Sequence, residues 1–113
     1  IKICIDTCHL FAAGEYNISE KSEISRFKKD FGKKIGLKYL KLIHLNDSKD
    51  VFNSHKDRHE ILGRGKIWKD KETLSFSKIL SFKISSSEEI MGKSYSRLSI
   101  ILYPSFSKDT DIF

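Results

Sequence analysis

The chain has 113 residues, of which 39% are hydrophobic, and this length fits one small domain. No apolar stretch is long enough to cross a membrane as a helix, so we expect a soluble protein. The formal net charge of +6 suits an anionic partner such as nucleic acid, although charge alone does not identify one. The cysteines, Cys4 and Cys8, are too few for a disulfide scaffold and indicate buried, reduced thiols of an intracellular protein.

The first predicted element is a short strand. Ile1, Ile3 and Ile5 alternate with more polar residues, and the strand ends at Asp6. Because the chain starts in the body of a strand, without a leader segment, we expect it to be a fragment of a longer protein. Residues 11–18 are rich in small and polar types and are predicted to form a loop.

A helix is predicted after this loop, with Ser19 or Ser22 as its N-cap. The pattern places apolar side chains on one helical face and basic ones in the last turn, which suits the helix dipole. Gly36 then gives a C-terminal stop. The apolar positions are Ile24, Phe27, Phe31 and Ile35.

Residues 39–45 are mostly apolar and of strand length, and they end in His44-Leu45. A strand, a helix and a second strand predict a right-handed parallel crossover, which places Asp6 and His44 at the same edge of the sheet. Residues 46–68 are predicted as a long polar loop of the kind that usually has a function. Beyond it we expect a helix near 70–80, an insertion or disorder over 81–96, and a strand within 97–103.

Five potential metal ligands follow these predicted strands: Asp6, His9, His44, Asp57 and His59. Imidazole and carboxylate groups together suit a borderline cation such as zinc. Asp57 and His59 are two residues apart, so in an extended loop both side chains lie on the same face. Each residue taken alone has an ordinary structural explanation, such as a loop cap or a core histidine, but their common position after parallel strands favours a metal site. His55 lacks this support and is assigned to the surface.

Three motifs in order resemble endonuclease IV, the zinc-dependent apurinic/apyrimidinic endonuclease family with a TIM-barrel fold. They are residues 6–14 (Asp-Thr-Cys-His-Leu-Phe-Ala-Ala-Gly), residues 36–49 (which end in His-Leu-Asn-Asp-Ser-Lys) and residues 57–60 (Asp-Arg-His-Glu), followed by Gly-Arg-Gly at 63–65. The resemblance implies an α/β fold that is part of a TIM (β/α)8 barrel, its last strand–helix units only. It covers residues 1–67, whereas residues 68–113 are expected to be a diverged or non-native continuation, in part disordered.

The resemblance also implies three zinc ions in an intact member, with one complete protein ligand set in this chain. That set is His9, Asp57 and His59, whereas Asp6 and His44 match two ligands of a second zinc. The remaining ligands would come from earlier strands and from a glutamate in a final Glu-Thr-Pro motif. The local match to that motif, residues 102–104, has leucine in place of the glutamate.

The implied reaction is hydrolysis of the phosphodiester on the 5′ side of an abasic site by zinc-bound hydroxide, with no protein nucleophile. Cys8 is accordingly not expected to act as one. The implied partner is double-stranded DNA with abasic sites, bound by a full-length monomer inside the cell: in the nucleus or mitochondrion of a eukaryote, or the cytoplasm of a bacterium. Asn46, Ser48, Lys49 and Arg58 are candidates for DNA contacts, with a solvated loop as the alternative.

Two other hypotheses remain open. A sugar isomerase or epimerase of a related barrel would also place histidine and acidic ligands at strand ends. Alternatively, the chain is an inactive, truncated product that only binds zinc, because a closed barrel needs about 200–250 residues. As a fragment of a barrel, this chain is expected to be inactive alone and to fold poorly in isolation.

Overall fold

The computed structural model describes residues 1–68 and 96–101. The elements in chain order are β1 (Ile3–Asp6), α1 (Thr7–Ala13), α2 (Lys21–Lys34), a 3-10 turn (Leu37–Tyr39), β2 (Leu40–Leu45), β3 (Asp47–Ser48), β4 (His59–Glu60) and β5 (Leu98–Ile101). The predicted helix near 70–80, most of the segment 81–96 and the match at 102–104 lie outside the described residues. None of the described helices is both long and apolar enough to span a membrane.

The central sheet has the order β1-β2-β5. β1 and β2 are parallel, and Asp6 lies opposite His44 in their register, as the predicted crossover requires. This arrangement is part of a TIM barrel. β5, in contrast, pairs antiparallel with β2, with Leu45 opposite Leu98, and so departs from the all-parallel order of that fold.

The long helix α2 forms where its apolar spacing predicts. Ile24, Phe27 and Phe31 are buried on one face and pack in the core, while basic residues occupy the last turn. The predicted N-cap, Ser19 or Ser22, is wrong: the N-cap is Glu20, without a side-chain hydrogen bond. The helix ends before Gly36, whose φ of 111° disfavours any residue with a Cβ.

Helix α1 corrects the predicted loop over 11–18, because the helix continues to Ala13. The Asp6 side chain caps it by accepting a hydrogen bond from the backbone N–H of His9 at 3.0 Å. Gly14, at φ 88°, ends the helix in the left-handed conformation. The strand-tip aspartate therefore also starts a helix, which turns the chain back over the edge of the sheet.

The core lies between the sheet and the helices and extends under the loop that follows β2. Within that loop, β3 and β4 pair antiparallel, so residues 46–68 are not wholly irregular. Its closing residue, Trp68, is fully buried. Cys8 is buried as predicted, but Cys4 is exposed, because alternate residues of β1 point to opposite faces. The buried apolar residues are Ile5, Phe11, Ile18, Ile24, Phe27, Phe31, Leu40, Ile43, Leu45, Leu62, Ile67 and Trp68.

Candidate metal centre

Five side chains that share metal-ligand chemistry meet at the carboxyl edge of the parallel strands. β1 delivers Asp6 and β2 delivers His44 beside it. The first turn of α1 carries His9. The loop after β3 carries Asp57, and β4 begins with His59, so both lie at this edge as well. The structure thus brings together every residue that the sequence indicated as a ligand.

Asp57 links the imidazoles of exposed His9 and partly buried His59. Its Oδ2 lies 2.7 Å from Nε2 of His9, and its Oδ1 lies 3.0 Å from Nε2 of His59. The side chains of His9 and Asp57 are 61% and 48% exposed, so this part of the cluster is open to solvent. A ligand from solution can therefore reach it without a rearrangement of the core.

Asp6 lies at the inner side of the same cluster, with its side chain 13% exposed. Its Oδ2 is 4.0 Å from Nδ1 of His44 and 3.8 Å from Nε2 of His59. Its Oδ1 is 3.8 Å from Nδ1 of His9. One carboxylate therefore has an imidazole nitrogen from each of three segments around it.

These separations fit a metal centre. Ligand atoms bound tetrahedrally at about 2.1 Å from zinc are about 3.4 Å from one another, and the carboxylate–imidazole pairs here are 2.7–4.0 Å apart. Two trios have ligand atoms that all lie within 4.8 Å of one another: Asp6, His9 and Asp57, and Cys8, Asp57 and His59. The donor set is the nitrogen–oxygen type that zinc accepts, so these residues fit the cation that the resemblance implies.

The electrostatics of the cluster keep Asp57 ionised. Partial desolvation acts to raise the pKa of Asp57, but the hydrogen bond from His9 and the nearby charges of His9 and His59 outweigh it and lower that pKa below its usual value. An ionised carboxylate is the form that binds a cation. The group is therefore ready to bind a metal at neutral pH.

Cys8 lies directly behind the cluster but in a different chemical state. Burial raises the pKa of the Cys8 thiol to about 11, an effect that its hydrogen bond with Ser48 only partly offsets. Its Sγ lies 3.7 Å from the backbone carbonyl of Arg58, as a donor to that oxygen. The thiol is therefore protonated at neutral pH, which makes it neither a nucleophile nor a ready thiolate ligand.

The four candidate DNA contacts fall into two groups. Asn46 and Ser48 are fully buried, and their side chains bond within the protein. Lys49 and Arg58 are exposed, and the guanidinium of Arg58 pairs with both carboxylate oxygens of Asp50. Lys49 and Arg58 therefore lie on the outside of the segment that also carries Asp57 and His59.

Two buried residues that the motif analysis did not assign to the site, Thr7 and Asp47, accept hydrogen bonds from backbone groups next to it. The Thr7 hydroxyl accepts a hydrogen bond from the backbone N–H of Asn46 at 3.0 Å and so joins α1 to the end of β2. The carboxylate of Asp47 accepts four backbone N–H groups at 2.9–3.0 Å and so fixes the turn that follows β4. Their only sequence signal is a small polar or acidic residue directly after a strand. The four donors are Ser48, Gly63, Gly65 and Ile67.

His55 lies apart from the cluster, as predicted. Its side chain is exposed, and its backbone has a left-handed φ of 57°. The backbone N–H of His55 donates to the carbonyl of Ala12 at 3.0 Å, which attaches the loop to the end of α1. Its role in the described structure is therefore to anchor the loop through its backbone.

Comparison with known proteins places this chain in a family. Residues 1–74 match the model of the xylose isomerase-like TIM barrel family. The chain is 54% identical over 67 residues to an endonuclease 4 homolog of Dictyostelium discoideum, which is 59% of this chain and 12% of that protein. It is 55% identical over 67 residues to a probable endonuclease 4 of Buchnera aphidicola, which is 59% of this chain and 24% of that protein.

A third relative is an apurinic-apyrimidinic endonuclease of Caenorhabditis elegans, 49% identical over 69 residues, which is 61% of this chain and 17% of that protein. The chain thus matches between 12% and 24% of the length of these relatives. The resemblance to endonuclease IV is confirmed over the N-terminal part of the chain. The chain belongs to the xylose isomerase-like TIM barrel family.

Proposed function

We propose that this chain carries part of the metal-binding mouth of a DNA-repair endonuclease that hydrolyses the phosphodiester 5′ to an abasic site. The observation that carries the proposal is the convergence of two aspartates and three histidines at the carboxyl edge of β1 and β2. That edge is where TIM-barrel enzymes place their chemistry. Relatives about half identical to this chain are named as endonucleases, which supports the reaction class.

We assign zinc as the cofactor, with His9, Asp57 and His59 as one ligand set and with Asp6 and His44 as part of another. The Nε2 atoms of His9 and His59 face separate oxygens of Asp57, and the two ring centroids are 6.3 Å apart, so binding one cation would draw the two imidazoles closer together. Asp6 lies between His44 and His59 and can connect the two positions. Bound zinc would supply the Lewis acidity that activates water and neutralises phosphate charge.

The surroundings of the site suit a polyanionic substrate. The net charge of +6 attracts a phosphate backbone, and Lys49 and Arg58 lie exposed on the ligand loop. The guanidinium of Arg58 is 61% exposed, whereas the side chain of its partner Asp50 is 11% exposed, so we propose that a phosphate approaches the open side of Arg58 while this ion pair stays in place. Asn46 and Ser48, being buried, are left out of our proposed DNA contacts.

We further propose that residues 1–67 are the portion that functions in a barrel and that residues 68–113 have diverged. The second metal position has only Asp6 and His44 within the described residues, so its other ligands must come from elsewhere in a complete barrel. On this basis the chain alone binds metal but does not incise DNA.

A chimera tests the reaction. The matching 69-residue segment of the C. elegans endonuclease is replaced by that of this chain, and incision of an abasic-site duplex is measured. We expect incision that a chelator abolishes, while the isolated chain leaves the duplex intact. A chimera that folds and binds zinc but cuts nothing would refute the proposed function.

The same chimera tests the ligands with a matched pair of histidines. His59→Asn should reduce incision by more than the roughly 10- to 100-fold typical of losing a group outside the ligand set. His55→Asn is the control, because it lies in the same loop, is exposed and has a left-handed φ that asparagine tolerates. Equal loss in both variants would argue against the ligand assignment.

A sugar isomerase is the second candidate, because the matched family is described as xylose isomerase-like. Such an enzyme would use the same histidine and carboxylate ligands on a small neutral substrate. Turnover of a free ketose by the chimera, without DNA incision, would favour this candidate over the endonuclease.

A further inference from the structure

Asn46 is a buried polar residue whose side chain contacts the proposed ligands, and it is not itself proposed as a ligand. It follows the last residue of β2 and is fully buried. Its backbone carbonyl accepts hydrogen bonds from Nε1 of Trp68 at 2.7 Å and from the Thr7 hydroxyl at 2.8 Å. The backbone at this position is therefore held from two sides.

The side-chain amide of Asn46 has one defined orientation. Its Oδ1 accepts the backbone N–H of Cys8 at 2.8 Å, and its Nδ2 donates to Oδ2 of Asp6 at 3.0 Å. The reversed amide would place its NH2 against the N–H of Cys8 and its oxygen against the carboxylate of Asp6. Both ends of the amide thus select the same orientation.

The NH2 end of this amide lies between two of the proposed ligands. Nδ2 is 3.0 Å from Oδ2 of Asp6 and 3.4 Å from Nε2 of His59, while those two ligand atoms are 3.8 Å apart. The same NH2 group therefore contacts ligand atoms from two different segments of the chain, β1 and β4.

We propose that Asn46 is a positioning residue of the metal centre, which orients the Asp6 carboxylate by a hydrogen bond and contacts His59, so that both present their ligand atoms to metal. This inference rests on the metal centre of the proposed function. Groups that hydrogen-bond to metal ligands fix ligand orientation, and their loss typically weakens metal binding by about 10- to 100-fold. We expect a loss in this range for Asn46→Ala, although no ligand is removed.

The adjacent residue gives a matched control. Asp47 is also fully buried, and its carboxylate accepts backbone N–H groups of the following turn and no proposed ligand side chain among the described residues. Asp47→Asn therefore weakens the packing of the loop in the same place without touching Asp6 or His59. An effect that acts only through stability should alter metal affinity similarly in both variants.

The experiment measures zinc affinity of the full 113-residue chain by titration calorimetry, with the visible spectrum of bound cobalt as a readout of ligand geometry. Asn46→Ala should bind zinc about 10- to 100-fold more weakly and change the cobalt spectrum. Asp47→Asn, which weakens the loop without removing a bond to a proposed ligand, should lose less zinc affinity than Asn46→Ala and keep the wild-type cobalt spectrum. Far-UV circular dichroism checks that each variant folds. If Asn46→Ala unfolds, Asn46→Ser replaces it, because the serine hydroxyl is one bond too short to reach Asp6.

Two results would overturn the inference alone: unchanged affinity and spectrum in the folded Asn46 variant, or an equal loss in both variants. Absence of zinc uptake by the wild-type chain would overturn the metal centre of the proposed function together with the inference. The two failures are therefore distinguishable.

Discussion

The two cysteines are four positions apart in sequence but have opposite surroundings. Cys4 is exposed on the outer side of β1. Cys8 is fully buried behind the metal cluster, where burial raises its pKa to about 11. Only the thiolate reacts readily with alkylating reagents, so exposure and pKa both predict different reactivity.

We expect maleimide to label Cys4 in the folded chain at pH 7 and to leave Cys8 unmodified until denaturant is added. Because burial raises the pKa of Cys8 to about 11, its thiol is protonated at pH 7, and its labelling should follow the unfolding transition as denaturant is added. The single variants Cys4→Ser and Cys8→Ser separate the two signals in mass spectrometry. Equal rates for both thiols at pH 7 would contradict this environment for Cys8.

The meeting of the proposed ligands at one edge of the sheet could be predicted from the sequence, and the buried contacts behind them could not. Asp6 and His44 stand at the ends of apolar runs, and parallel strands bring such ends together. Asn46 was expected only as a candidate DNA contact and Asp47 was given no role, because their burial depends on the turn near Gly65 and on Trp68 packing over them. Such contacts arise only after the loop closes, so no local pattern reports them.

At the scale of elements, α2 could be predicted and α1 could not. Ile24, Phe27 and Phe31 repeat at helical spacing over a 14-residue helix, which gives a clear signal. α1 has seven residues, too few to show a period, and it depends on the cap from Asp6 and the contacts of Thr7 with β2. The available signals were an aspartate at the N-cap and Gly14 after the last turn.

Two glycine substitutions should change stability in opposite directions. A Cβ at Gly65 would lie under 3.0 Å from Oδ1 of Asp47 and from the backbone oxygen of Ser48, so Gly65→Ala should lower the free energy of unfolding by about 1–3 kcal/mol. Gly32 lies inside α2, where alanine is favoured, so Gly32→Ala should raise it by about 0.5–1 kcal/mol. Urea unfolding measures both. A neutral Gly65→Ala would mean that the loop does not pack against Asp47 in solution.

At the scale of the whole molecule, metal binding and folding should be coupled. The proposed ligands come from β1, α1, β2 and the loop after β3, so a bound cation links segments that are distant in sequence. The parallel pair β1–β2 was predictable because a helix of suitable length separates two apolar runs. The pairing of β5 was not, because strand direction depends on the path of the chain between elements.

Zinc should therefore stabilise the chain. At a free zinc concentration about 100-fold above the dissociation constant, the free energy of unfolding should rise by about 2.7 kcal/mol. Calorimetry should show a higher melting temperature that a chelator reverses, with little effect of magnesium, which prefers oxygen ligands. Asp57→Ala should remove most of the zinc effect, and an undiminished effect in that variant would place the metal elsewhere.

The direction of β5 determines how this chain could be reconstituted into a barrel. Leu98–Ile101 occupies the side of β2 away from β1. A closed barrel of this family places a parallel neighbour on each side of every strand. A complementary fragment supplied in trans must therefore first displace residues 98–101 from β2. Strand β5 of the chain thus competes with that fragment for the same edge of β2.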